Sequence, residues 1–302
     1  MTRRPAHRRS WPVVLGLAAA LVAATPAAAL SGSHAHHTFG GTTTNSALAL
    51  AAREAGVAAT IAFSSTIGTA ALGYGADLRS LQSAVASGNV AGAKTDELAA
   101  QGRYDALRFL AGNGPSAGWE VDGLASDVPA GHQFTGLHLV EEDLWEGGDA
   151  TSAVAALVTS APLVEAAFSR LQASPQDIAQ VAVDELGWVN EAAVPGQAEP
   201  YSHLDTVDVV ATVDAAHDAW DDVAPLVKLV EPRRGAAVTR RFGALLKAVA
   251  ALGPPGSVAD SGVPASASEQ VAQDDDAVAA GLSALEPTLA GYGPRQIYGY
   301  NA

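Results

Sequence analysis

From Asn45 to about Ser87 the chain is a long Ala-rich run. Its larger apolar residues, Leu48, Leu50, Val57, Ile61, Leu72, Leu78, Leu81 and Val85, recur at spacings of three, four and seven. That is the period of a helix face. It predicts one long helix, or two broken near Gly73 and Gly75. The same habit continues along the chain, and no stretch alternates as a strand would. Aromatic residues make up only 6% of the sequence while 48% is hydrophobic. A core built from Ala and small aliphatics favours closely packed helices over a β-sandwich. The expectation is an all-α protein of about eight helices, arranged as two four-helix bundles.

The remaining helices follow from their punctuation. Val90 to Leu110 reads as a second helix with Leu98, Leu107 and Leu110 on its apolar side. Residues 111–131 form a Gly- and Pro-rich loop carrying Trp119, Glu120, Asp122 and Asp127, and a long ordered loop of this kind often carries ligands. A helix follows from about Gln133 to Trp145. Asp149 is placed to cap the next, from about Ala150 to Ala173. Ser174 and Pro175 open another, with Ser at the cap and Pro at the first position. The turn from Glu199 to Asp205 feeds a helix reaching about Val230, and there the polar side chains of Ser202, His203 and Asp205 read as caps. Arg234 to Leu252 and Glu269 to Leu289 complete the set. Residues 253–268 read as a linker, and 291–302 as an irregular tail rich in Tyr and Gly.

One short stretch carries chemistry. In Gly136-Leu137-His138-Leu139-Val140-Glu141-Glu142-Asp143-Leu144-Trp145, His138 and Glu141 are three residues apart and share a helix face. An imidazole and a carboxylate converging on one point make half of a metal site. Leu137, Val140 and Leu144 give the helix an apolar stripe, which would set the pair beside a bundle interior. Gly136 lets a neighbouring backbone come close. The plain alternative is a surface His–Glu pair, worth about 0.2–0.5 kcal/mol.

The first 29 residues read as an export signal. Arg3, Arg4, Arg8 and Arg9 precede an apolar stretch from Pro12 to Ala24, and Ala27-Ala28-Ala29 offer a cleavage site. The paired arginines are compatible with twin-arginine export as well as with the general route. Residues 30–44 form a His-, Gly- and Thr-rich tether with His34, His36 and His37. No later segment reads as a stable membrane span. Cysteine is absent, which excludes disulfides and thiolate metal sites. Without residues 1–29 the 17 basic residues fall to 13 against 32 acids, a net charge of −19 in place of −15. Such a chain repels nucleic acid and anionic lipid and attracts cations. No G-x-S-x-G, P-loop or dinucleotide fingerprint is present, and none of those chemistries is expected.

Three stretches, spread over residues 45–290, resemble one family. Gly136 to Glu141 matches the GxHxxE signature of the imelysin-like family (peptidase family M75), and within it the EfeO/EfeM-type iron-uptake proteins. Tyr201-Ser202-His203-Leu204-Asp205, preceded by Glu199, resembles that family's Tyr-Ser-His-x-Asp segment. Arg103-Tyr104-Asp105 stands where the family has Pro-Tyr-Glu. The resemblance implies two related four-helix bundles and a metal site with His138 and Glu141 as ligands. It places Asp105 at the family glutamate, and matches Asp122 to an acid in the following loop. It implies iron, Fe²⁺ or Fe³⁺, as the metal, though Zn²⁺ or Mn²⁺ also suit such donors. It implies a periplasmic, cell-wall or extracellular binding protein that works with a membrane iron permease and a haem peroxidase. The chain diverges from the pattern: Arg108 stands where a second acid is often found, and Thr206 to Thr212 replace an aromatic-rich segment. A metallopeptidase is the alternative. It is weakened by the absence of HExxH and of a second His at helical spacing from His138. A helical scaffold that binds a partner without metal is the third reading.

Overall fold

The computed structural model describes residues 42–108, 118–169, 171–257 and 259–292. Among them every regular element is helical and no strand occurs. Eight helices carry the fold: α1 (Thr42–Ala86), α2 (Val90–Asp105), α3 (Leu137–Glu146), α4 (Thr151–Phe168), α5 (Pro175–Trp188), α6 (Thr206–Val230), α7 (Pro232–Ala250) and α8 (Ala265–Ser283). The expected export signal, the histidines at 34, 36 and 37, and the tail beyond Tyr292 lie outside the described residues.

Local sequence sets most of the helix ends. Asn89 accepts the Gly92 N–H at the start of α2. Asp149, one residue before the Ala150 cap position of α4, accepts the Thr151 N–H at 3.0 Å. Ser174 and Asp177 form a reciprocal capping box on α5, with Pro175 as the first helical residue. Helix α3 begins at Leu137, four residues later than expected, because Gly136 is held at φ 95°, ψ −165°, a conformation open essentially to Gly alone. The last long helix ends at Ser283, and Glu286–Leu289 forms a separate turn.

Helix α1 is unbroken through Gly73 and Gly75, which correct the two-helix alternative. Arg103 lies against Gly73 and Glu165 against Gly75. The absent Cβ atoms therefore serve side-chain approach and do not mark a break. The face α1 buries keeps Leu78 and Leu81 of the expected stripe and departs from it over the rest of the helix. Ala52, Ala59, Phe63, Ile67, Ala71, Tyr74, Leu78 and Leu81 point inward, whereas Leu48, Leu50, Val57, Ile61 and Leu72 are exposed. Alanines on the inner face allow neighbouring helices to approach closely. By length and composition α1 and α4 are each apolar enough to cross a membrane. Here both lend a face to the core.

Helix α1 packs on α2, α4 and α6, and α3 joins α2 to α4. Helix α6 also packs on α2, α5 and α7, and α8 closes against α5 and α7. Among these, α6 is the central element. It buries Val209, Val213, Ala216, Val223 and Val227, and its Trp220 stacks on Phe242 of α7 with ring centroids 6.3 Å apart. This is core packing, as expected for Trp220.

Candidate metal centre

Where α2, α3, α5 and α6 meet, the core is acidic. Helix α2 turns Glu97, Gln101 and Asp105 inward at intervals of four. Helix α3 adds His138 and Glu141, α5 adds Glu185, α6 adds Asp208, and the turn before α6 adds Glu199. All eight are buried. A surface His–Glu pair is therefore excluded: His138 is 4% exposed and Glu141 fully enclosed. Charge buried at this density is costly unless something neutralises it.

The geometry centres on Glu141. Its Oε2 lies 3.1 Å from His138 Nδ1. Its Oε1 accepts the backbone N–H groups of Ser202 at 2.7 Å and Tyr201 at 3.1 Å. The turn supplying those donors is tightly wound. His203 sits at φ 57°, a left-handed conformation uncommon outside Gly, and its N–H donates to the Glu199 carbonyl at 2.9 Å. Ligand atoms of His138, Glu141 and Glu199 all lie within 4.8 Å of one another. Bonds of about 2.0–2.2 Å from N and O donors to one ion need only a small contraction of that triangle. On the other side of the ring, His138 Nε2 is 3.5 Å from Asp122 Oδ1, which also accepts from Gln101 Nε2 at 2.7 Å. Gly136 makes this approach feasible, since a Cβ there would strike the Val121 carbonyl beside Asp122.

The electrostatics separate these acids into two kinds. Burial alone would raise Glu141, but the hydrogen bonds from His138 and the Ser202 N–H outweigh it and hold the carboxyl below its usual range. Burial disfavours the charged His138 ring, yet the Glu141 hydrogen bond and the Asp122 charge prevail and raise it. Glu97 and Glu199 are both driven well above the ordinary carboxyl range, by burial first. The neighbouring acids then add to this: Glu141 and Asp105 at Glu97, Asp208 and Glu97 at Glu199. Both oxygens of Glu97 and Oε1 of Glu199 have no hydrogen-bond partner. Their surroundings favour the protonated form, and both keep acceptor atoms to spare.

A guanidinium occupies the other end of the cluster. Arg108 pairs with Asp105, lies 3.4 Å from Asp122, and stacks on Trp188 at 3.5 Å from the ring centroid. Burial opposes its charge, but Asp105, Asp122, Asp208 and Glu185 keep it protonated. Burial raises Asp208 and Glu185 well above the usual range, with Asp105 adding to both. Trp188 thus covers a partly buried cation.

Of the four residues singled out in the sequence, the fold brings His138 and Glu141 together and sets Asp122 behind the imidazole. Asp105 is turned toward Arg108, as in a helical ion pair, although buried. Four acids were missed: Glu97, Glu185, Glu199 and Asp208. For Glu97 and Glu185 the signal lay in the helical period. Glu97, Gln101 and Asp105 form one polar stripe on α2, and Glu185 continues the stripe of Ile178 and Ala182, which is otherwise apolar. His203 caps nothing. Its carbonyl accepts from the Asp260 N–H at 3.0 Å.

No established protein-family profile matches the chain. It is 26% identical over 146 residues to the iron uptake system component EfeM of Bacillus subtilis, a match covering 47% of this chain and 38% of that protein. It is 27% identical over 114 residues to an EfeM/EfeO family lipoprotein of Staphylococcus haemolyticus, covering 36% and 40% respectively. The chain thus spans about two fifths of the length of the curated relatives it matches. It is distantly similar to proteins of EfeM/EfeO type.

Proposed function

We propose that this chain captures iron outside the cytoplasmic membrane as one component of an uptake system, with His138, Glu141 and Glu199 as the ligands. One observation carries the reading: an imidazole and two carboxylates converge within 4.8 Å in a buried acidic core. Iron is cargo here, not a resident cofactor. A donor set of one nitrogen and several hard oxygens suits Fe²⁺ or Fe³⁺, and accepts Mn²⁺ and Zn²⁺. Glu141 is ready as an anion, Glu199 supplies a second carboxylate on losing its proton, and Glu97 borders the site with two free oxygens. Asp122 acts as a positioning residue: holding Nε2–H of His138 leaves Nδ1 to face the ion. Asp105 serves the Arg108 pair and not the ion. The EfeM relative is described as part of iron uptake, and the family resemblance extends this to delivery to a membrane permease, with a haem peroxidase as a further partner.

The test is calorimetric titration of the exported chain with anaerobic Fe²⁺, Fe³⁺-citrate, Mn²⁺ and Zn²⁺, beside His138→Ala and Glu199→Gln. Binding of one equivalent of iron, weakened at least tenfold in both variants, is the expected result. Iron binding that survives both substitutions would remove the site from this core. An absence of binding would leave a helical scaffold in place of an iron carrier.

A further inference from the structure

A second group of oxygens gathers at the far end of the Glu199 turn. Asp205 closes that turn: its Oδ1 accepts the Ala198 N–H at 2.7 Å, and its own N–H donates to Asp260 Oδ1 at 3.0 Å. Asp260 returns a bond from its N–H to the His203 carbonyl. The two side-chain carboxyls are within hydrogen-bonding reach of each other. Asp205 is 2% exposed and Thr206 is 4% exposed, and neither Asp205 Oδ2 nor Thr206 Oγ1 has a hydrogen-bond partner. Both residues line a cavity of about 40 Å³, together with Gly196, Asp260 and Ser268.

Two facing carboxylates need a positive charge between them, either a shared proton or a metal cation. The cavity exceeds the roughly 10–15 Å³ needed for one water-sized occupant. Its polar side chains all end in oxygen, two carboxylates and the hydroxyls of Thr206 and Ser268, set among the apolar Ala193, Val194, Val209, Leu252 and Val263. Hard cations that tolerate irregular geometry prefer this donor set, and calcium completes its six to eight ligands with water.

We propose that the cavity between Asp205 and Asp260 binds one hard divalent cation of the calcium class, tying the Glu199 turn to the segment that precedes α8. The site shares no ligand with the His138 cluster and does not depend on the iron reading. Its bound cation would hold the turn whose Ser202 and Tyr201 N–H groups reach Glu141.

The experiment follows calcium binding by equilibrium dialysis and thermal unfolding at pH about 7.5. It uses the metal-stripped chain, His138→Ala, Asp260→Asn and Asp205→Asn. One calcium per chain and a Tm rise in the wild type and in His138→Ala are expected, with affinity reduced at least tenfold in both Asp→Asn variants. Asp260 is half-buried in an irregular segment, so its variant is the one best placed to fold. If the wild type ignores calcium while Asp260→Asn alone raises Tm, the pair holds a shared proton and the proposal falls. Calcium binding that persists unchanged in both Asp→Asn variants would assign it to the acidic surface and overturn the site equally.

Discussion

Ser202 donates its backbone N–H to Glu141 Oε1 at 2.7 Å, across 61 residues of sequence. The motif glutamate therefore does two jobs: it anchors the turn before α6 through Oε1, and it faces His138 through Oε2. The two can be separated. Glu141→Gln keeps a carbonyl oxygen for the Ser202 and Tyr201 N–H groups and loses the charge. It should unfold within a few degrees of wild type and bind iron at least tenfold more weakly. Glu141→Ala also orphans two backbone donors, at a cost of about 1–3 kcal/mol each. Urea unfolding beside titration calorimetry separates the outcomes, and equal stability of the two variants would contradict the anchoring role.

Glu199 and His138 both carry raised pKa values, and both must give up protons to ligate. Iron uptake should therefore release protons, and affinity should rise with pH, by up to tenfold per unit for each proton displaced. Binding enthalpies measured in buffers of different ionisation heat give the proton count. Glu199→Gln should release one fewer proton, bind more weakly, and be more stable than wild type without metal, because it removes an acid held against its charge. A metal-free variant less stable than wild type would count against this account.

Arg108 holds Asp105 and Asp122 in the interior. Truncating one member of a buried ion pair strands the other, at about 3–5 kcal/mol. Arg108→Met should be destabilised by that order in urea unfolding. Adding Asp105→Asn should restore part of the loss, and the double-mutant cycle gives the coupling. Additive effects of the two substitutions would mean the pair is not coupled.

Asp275 on α8 is 1% exposed and accepts from Asn190 Nδ2 at 2.8 Å. Burial, aided by the charge of Asp276, pushes it up to about 8. The unfolded chain releases this proton near pH 4, whereas the folded chain keeps it until about 8. The contribution of this group is therefore full below about pH 4 and is lost as pH rises to about 8, with a slope of at most about 1.4 kcal/mol per pH unit. Unfolding free energies of wild type and Asp275→Asn between pH 5 and 8 should converge at the acid end, with the variant falling less steeply. Parallel curves would refute the assignment.

Much of the fold could be read directly from the chain. Apolar residues at helical spacing and the scarcity of strand formers imply an all-α protein. Asn89, Asp149 and the Ser174–Asp177 box mark helix starts through local hydrogen bonds, and local bonds need no tertiary partner. That His138 and Glu141 face each other was legible because a helix alone puts i and i+3 on one face. Which face turns inward is a different matter. On α1 the structure buries Leu78 and Leu81 of the suggested stripe but exposes Leu48, Leu50, Val57, Ile61 and Leu72, since three neighbouring helices select the side that carries Ala52, Ala59 and Ala71. Glu97 and Glu185 looked like solvated charges because a helical acid stays in water until a packing partner removes it. Glu199 joined the site only when the strained turn at His203 folded back and delivered the Ser202 N–H to Glu141. Local sequence determined the helices, their caps and the motif pair. Tertiary packing alone gathered acids more than a hundred residues apart into one core, because convergence in space depends on which helix faces meet.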